Sequence, residues 1–216
     1  VGKEFLHIFD EWADQYDASV SGQDPQYADV FFRYEEILEA VAQRVHGTVI
    51  EFGPGTGNLT KRVLEKGVEV LPVEPHDKMR ALFQNRFPQL EAQEGDLLEF
   101  VTPEGQVDGF ISSYVFHHLT DAEKGEALKR YAELLPVGGK VVFADTVFSS
   151  EDAKQAQILK EKARGYVAVA EDLEREYYTT IPVLTSLFEQ AGFGVTFTQM
   201  NDYVWLMDAT KGGTTQ

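Results

Sequence analysis

The stretch Thr48-Val-Ile-Glu-Phe-Gly-Pro-Gly-Thr-Gly-Asn58 passes from a buried-strand pattern through a glycine-rich turn into a helix. Val49, Ile50 and Phe52 suit a parallel strand covered on both faces, and Gly53, Gly55 and Gly57 let the backbone turn tightly and approach a ligand. Leu59, Val63 and Leu64 predict a helix from Asn58 to Lys66 that stops at Gly67. A strand, a glycine turn and a helix N-terminus together make a cradle for a nucleoside-containing cofactor.

The register of the turn narrows the ligand. Gly53-Pro-Gly55-Thr-Gly57 reads GxGxG, whereas a dinucleotide fingerprint reads GxGxxG/A and wants a small residue where this chain has Asn58. No GKS or GKT follows, which excludes a P-loop. Glu51, just before the glycines, suits a cationic or amine-bearing ligand and would repel a pyrophosphate. The next strand, Val68 to Glu74, ends in a second carboxylate that returns beside the turn. There it can accept both hydroxyls of a ribose, in charge-assisted bonds of about 1.5–3 kcal/mol each if buried. An acid at this spacing serves nicotinamide and S-adenosylmethionine (SAM) enzymes alike.

The rest of the chain alternates as a doubly wound sheet requires. Val107 to Tyr114 is an apolar strand, Thr120-Asp-Ala-Glu123 is a capping box opening a helix through Leu135, and Pro136 with Gly138-Gly139 ends it. Lys140 to Val147 is the next buried strand. Glu151 to Tyr178 is a long amphipathic stretch, and a further helix begins at Thr180, its expected cap. Val195 to Met200 and Tyr203 to Met207 are joined at Asn201-Asp202, a hairpin that implies an antiparallel edge.

With 216 residues, 43% apolar and 25% charged, the chain can bury a full core as one domain. Nineteen Lys and Arg against 36 Asp and Glu give a net charge of −17, which argues against a nucleic-acid partner. The absence of cysteine removes disulfides, thiolate metal sites and cysteine nucleophiles. No apolar run is long enough to span a membrane and no leader pattern is visible, so a cytoplasmic location is expected.

Taken in order, these motifs give the chain a resemblance to the class I SAM-dependent methyltransferases. The matching residues are Glu51-Phe-Gly-Pro-Gly-Thr-Gly57, Glu74 closing the second strand, Gly95-Asp96-Leu97 after a third, Ile111 to Leu119 at the fourth, and Leu135 to Phe143 leading into the fifth. More narrowly, Trp12-Ala-Asp-Gln-Tyr-Asp17 and Phe143-Ala-Asp-Thr-Val-Phe148 resemble the uncharacterised bacterial YrrT-type methyltransferases. The resemblance implies an α/β, doubly wound Rossmann-like sheet of seven strands, mostly parallel with an antiparallel last strand, plus an N-terminal helical cap. A single domain over residues 1–216 would divide into a cap (1–46), a cofactor-binding half (47–147), substrate-side helices with the terminal hairpin (148–210) and a tail (211–216).

Carried over residue by residue, the resemblance implies that Gly53, Gly55 and Gly57 lie against the methionine part of SAM and that Glu74 holds the ribose. Asp96 would bond the adenine amine and Leu97 would lie beside the ring. An acceptor carboxylate suits an amine donor and an apolar neighbour suits a purine face. Tyr16 and Tyr27, in the cap, are candidates for facing SAM, with Tyr16 balanced against a core role beside Trp12.

His117 and His118 follow the fourth expected strand at the carboxyl edge of the sheet, where an imidazole could take a proton from an acceptor. The alternative is that one histidine hydrogen-bonds locally while the other lines the cofactor site. Asp145 is read as an acceptor-pocket residue or a hydrogen-bonder behind one, and no metal is expected. The predicted activity is SAM-dependent methyl transfer to a small molecule, the acceptor and the oligomeric state being left open. Its competitors are a catalytically silent SAM or S-adenosylhomocysteine binding protein and an NAD-dependent oxidoreductase.

Overall fold

The computed structural model describes residues 24–213. Among them a sheet of six strands is laid out in the order β2-β1-β3-β4-β6-β5. The strands are β1 (Thr48–Phe52), β2 (Glu69–Val73), β3 (Gly109–Ser113), β4 (Lys140–Thr146), β5 (Phe193–Gln199) and β6 (Val204–Lys211). β1 pairs in parallel with β2 on one side and β3 on the other, β3 pairs in parallel with β4, and β6 runs antiparallel to both β4 and β5. The last strand is antiparallel as expected, but it lies inside the sheet and β5 forms the edge.

The seventh strand of the sequence reading is absent among the described residues. Its place before Gly95 is taken by one parallel bridge, Val73 to Gln93, held by Gln93 N–H to the Pro72 carbonyl and Glu74 N–H to the Gln93 carbonyl, both 2.9 Å. Gln89-Leu-Glu-Ala-Gln-Glu-Gly95 is poor in β-branched and aromatic residues, and Pro72 in β2 has no N–H to offer a neighbour. Pairing therefore stops after one rung.

Helices cover both faces. They are α1 (Tyr34–Ala42), α2 (Asn58–Glu65), α3 (Asp77–Arg86), α4 (Asp121–Leu134), α5 (Glu151–Arg164), α6 (Val167–Arg175) and α7 (Ile181–Gln190). The amphipathic stretch after β4 is two helices, because Gly165 takes a left-handed φ of +78° that closes α5. The capping box at Thr120 and Glu123 opens α4 as read. Thr180 sits at the cap position of α7 but makes no side-chain cap bond, and Pro182 starts that helix instead.

Alternation along the strands sends neighbouring side chains to opposite faces. Val49, Ile111, Val142 and Leu206 pack with Ile37, Leu38 and Val41 of α1 on one face. Phe52, Phe110 and Phe143 pack with Leu128 and Tyr131 of α4 and Phe188 of α7 on the other. Strand order reverses between β1 and β3, which opens a crevice at their carboxyl ends. No helix of the described residues is long and apolar enough to cross a membrane.

Candidate active site

Two groups of residues converge on the carboxyl edge of the sheet. The first is the turn after β1. Gly53, Gly55 and Gly57 all have positive φ, at 58°, 57° and 84°. A Cβ on Gly53 would stand 2.6 Å from Val115 Cγ2, and one on Gly57 would stand 2.2 Å from Phe87 Cε2. Side chains are thus excluded here both by backbone conformation and by space. Gly57 caps α2, so that helix points its first turn at the crevice.

Glu74, buried at the end of β2, turns its carboxylate onto this loop. Its Oε1 accepts from His76 N–H at 3.0 Å and its Oε2 takes a long bond from Gly55 N–H at 3.4 Å. Burial pushes its pKa up to about 7 against these two donors. Glu51 is buried as well and accepts from the Thr60 hydroxyl at 2.6 Å, a bond that fastens α2 to the end of β1. Burial raises Glu51 to about 8, opposed by Thr60 and reinforced by the charge of Glu74. Asp96 organises the next loop: its Oδ1 accepts from the backbone N–H groups of Leu98 and Glu99 at 2.9 and 2.8 Å. Leu97 is buried, and its carbonyl accepts from the Tyr131 hydroxyl at 2.6 Å. Tyr16 lies outside the described residues. Tyr27 donates its hydroxyl to Asp172 Oδ2 and packs against Phe31.

The second group follows β3. Tyr114 takes a left-handed φ of +58°, a strain of about 1–3 kcal/mol for a bulky residue. Its ring is held by Phe31 and Tyr34, at centroid distances of 5.1 and 5.9 Å. The kink leads into a short 3-10 turn, Phe116–His118, that carries the two histidines.

His117 is clamped between carboxylates from distant parts of the chain. Its Nδ1 lies 2.7 Å from Asp145 Oδ1 and its Nε2 lies 3.0 Å from Glu176 Oε2, while its backbone N–H donates to Asp145 Oδ2 at 3.0 Å. Burial alone would lower the imidazole pKa, yet the two carboxylates raise it to about 10. With a carboxylate on each nitrogen, the ring is an imidazolium at neutral pH and donates at both ends. Glu176 is affected reciprocally: burial would raise it, but His117 brings it down to about 2. The Tyr178 hydroxyl donates to Glu176 Oε2 at 2.8 Å and its ring stacks on His117 at 4.7 Å.

His118, whose ring centroid is 4.2 Å from that of His117, has the opposite character. Burial and the neighbouring positive charge depress it to about 3, so it is a neutral imidazole. Beneath the pair, Lys124 of α4 is buried and donates to the carbonyls of Leu119 at 2.5 Å and Tyr177 at 2.7 Å. It ties the segment carrying Glu176 and Tyr178 to the histidine turn.

Asp145 stands behind a histidine, one of the two positions the sequence suggested for it. Glu176 and Lys124 had no signal in the sequence. Glu176 sits at the frayed end of α6 beside Tyr177 and Tyr178, and only the packing of α6 over the sheet edge brings it to His117.

The fold and its switch-point cradle define an open α/β sheet protein with a glycine-rich ligand crevice. Residues 49–139 match the family model described as a methyltransferase domain. A relative from Anoxybacillus flavithermus named as an uncharacterized methyltransferase is 50% identical over 211 residues, covering 98% of this chain and all of that one. The chain belongs to this methyltransferase family. Among solved structures, magnesium protoporphyrin IX methyltransferase from Synechocystis PCC 6803, with bound SAM, is similar at a TM-score of 0.62 and 15% identity, over 87% of this chain and 84% of that one. The [4+2]-cyclase SpnF is similar at a TM-score of 0.63 and 11% identity, over 82% and 80% of the respective chains. Both likenesses concern the fold alone, and the second is a reminder that fold does not dictate chemistry.

Proposed function

We propose that this protein transfers the methyl group of SAM to a small-molecule acceptor, with the cofactor seated in the crevice between β1 and β3. The observation that carries this reading is the meeting of the glycine turn with the buried Glu74 carboxylate. Gly53 and Gly57 have no room for a Cβ against Val115 and Phe87, which keeps the turn on its tight, positive-φ path. Glu74 lies within reach of the Gly55 amide at a strand end, where two ribose hydroxyls can donate to it. The SAM-bound structural relative and the methyltransferase family support the same assignment.

In this reading Gly53, Gly55 and Gly57 face the methionine part and Glu74 the ribose. Asp96 and Leu97 face the adenine. SAM supplies an activated methyl on a sulfonium, so the chain's main task is to hold acceptor and methyl in line. Orientation of that kind is worth up to about 7–11 kcal/mol. His117, charged and bonded at both nitrogens, orients the acceptor side of the site. His118 is neutral, and the burial and neighbouring charge that keep it so also make it a weak base, so the reading rests on orientation rather than on proton transfer.

Calorimetric titration of the protein with SAM, S-adenosylhomocysteine and NADH in parallel tests the assignment. Saturable binding of the first two without the third is the expected result. Binding of NADH alone would move the crevice to hydride chemistry.

A further inference from the structure

The histidine turn brings together three metal-ligand atoms from two segments of the chain. His117, His118 and Glu176 each offer one donor atom, and the three atoms lie within 4.8 Å of one another. The closest pair, His117 Nε2 and Glu176 Oε2, is 3.0 Å apart. Two donors each about 2.1 Å from a zinc-sized ion lie roughly 3.0 Å apart at a right angle and roughly 3.4 Å apart in a tetrahedron. That pair therefore already has the spacing of neighbouring ligands on one ion. The His118 donor atom lies within 4.8 Å of both.

The surroundings have the form that metal-binding histidines need. Asp145 Oδ1 takes the Nδ1 side of His117 at 2.7 Å and fixes the ring so that Nε2 points at Glu176. A carboxylate on the far nitrogen of a ligating imidazole sets its tautomer and raises its basicity. Asp145 is itself anchored by the backbone N–H groups of His117 and Thr146, at 3.0 and 2.7 Å. Tyr178 holds Glu176 by its hydroxyl at 2.8 Å and lies flat against His117.

We propose that His117, His118 and Glu176 bind one divalent first-row transition-metal ion at the carboxyl edge of β3 and β4, the ion replacing the Nε2 proton of His117, which is released to solvent, with Asp145 and Tyr178 orienting the ligands. Two imidazoles and one carboxylate select nitrogen-preferring ions such as zinc, cobalt or iron over magnesium or calcium. Three protein ligands leave coordination positions open for water or an exogenous ligand. An oxygen acceptor bound there would lose its proton more readily through the ion, so His118 acts as ligand and no histidine base is needed. The site does not depend on the cofactor assignment and is tested without SAM.

The full chain, stripped with a chelator and dialysed, is titrated with cobalt(II) alone, read by visible absorption and by calorimetry. Wild type is expected to bind one ion with the intense d–d bands of a four- or five-coordinate site. His118→Asn and Glu176→Gln, each checked for a folded melting transition, are expected to weaken binding by about tenfold or more. Magnesium in excess should not displace the cobalt. Failure of the wild type to bind one ion, or unchanged affinity in both variants, would overturn the site and leave an Asp145–His117–Glu176 ion triad.

Discussion

Two sets of buried carboxylates share the carboxyl edge of this sheet, and their protonation runs in opposite directions. Glu51 and Glu74 rely on a hydroxyl and on backbone N–H donors, and burial lifts them to about 8 and about 7. Glu176 is nearly as enclosed, yet His117 at 3.0 Å brings it down to about 2. The difference lies in the partner rather than in the depth. A carboxylate facing neutral donors remains receptive to a cation or to ligand hydroxyls, whereas one facing an imidazolium is already compensated. The first arrangement fits a cofactor cradle and the second a positioning device.

Removing the cation from the second set breaks the contrast most severely. His117→Ala strands buried Asp145 without its ion partner and leaves Glu176 only Arg175 at 3.5 Å, which should cost about 3–5 kcal/mol in a denaturant melt. Adding Glu176→Gln to that variant should recover part of the loss, since one of the stranded charges is then gone. Equal stability of His117→Ala and wild type would mean that the clamp seen between Asp145 and Glu176 contributes nothing.

A smaller effect sharpens the same contrast through pH. Glu51, Glu74 and His117 have folded pKa values of about 8, 7 and 10, above their ordinary ones of about 4.5, 4.5 and 6.5. Stability from such groups is complete below the unfolded pKa and is lost as pH rises through the folded one. Glu176 and His118, with lowered values of about 2 and 3, give stability that is lost on acidification and is nearly constant above pH 7. The melting temperature of the ligand-free protein should therefore fall between pH 7 and pH 8.5. Saturating SAM should flatten the fall, because ribose donors favour the ionised form of Glu74. A melting temperature that rises over this interval would contradict the raised set.

The two regions also differed in how far they could be read from the chain. The cradle is local: a strand, three glycines, a helix and one returning strand lie within Thr48 to Glu74, and each step has a short-range cause. The histidine cluster is not local. His117 and Asp145 sit at the ends of neighbouring strands, so their approach follows once the strand order is known. Glu176 is brought in by the break at Gly165 and the packing of α6, neither of which leaves a periodic mark. The missing strand before Gly95 failed for a related reason, since family order predicted a strand where the residues themselves have little strand preference. Lys124 lay unnoticed within the α4 pattern, because a lysine on a helix normally reads as solvated, and the carbonyls of Leu119 and Tyr177 together with Asp121 at 3.5 Å make its burial tolerable.

The central claim, that the glycine and Glu74 region holds the cofactor while the histidine region does not, is tested by measuring SAM dissociation constants for Glu74→Ala and Glu176→Gln side by side. Loss of ribose contacts predicts a weakening by about 1.5–3 kcal/mol for the first and little change for the second. Unchanged affinity in Glu74→Ala with a large loss in Glu176→Gln would place the cofactor on the wrong side of the crevice and contradict the account.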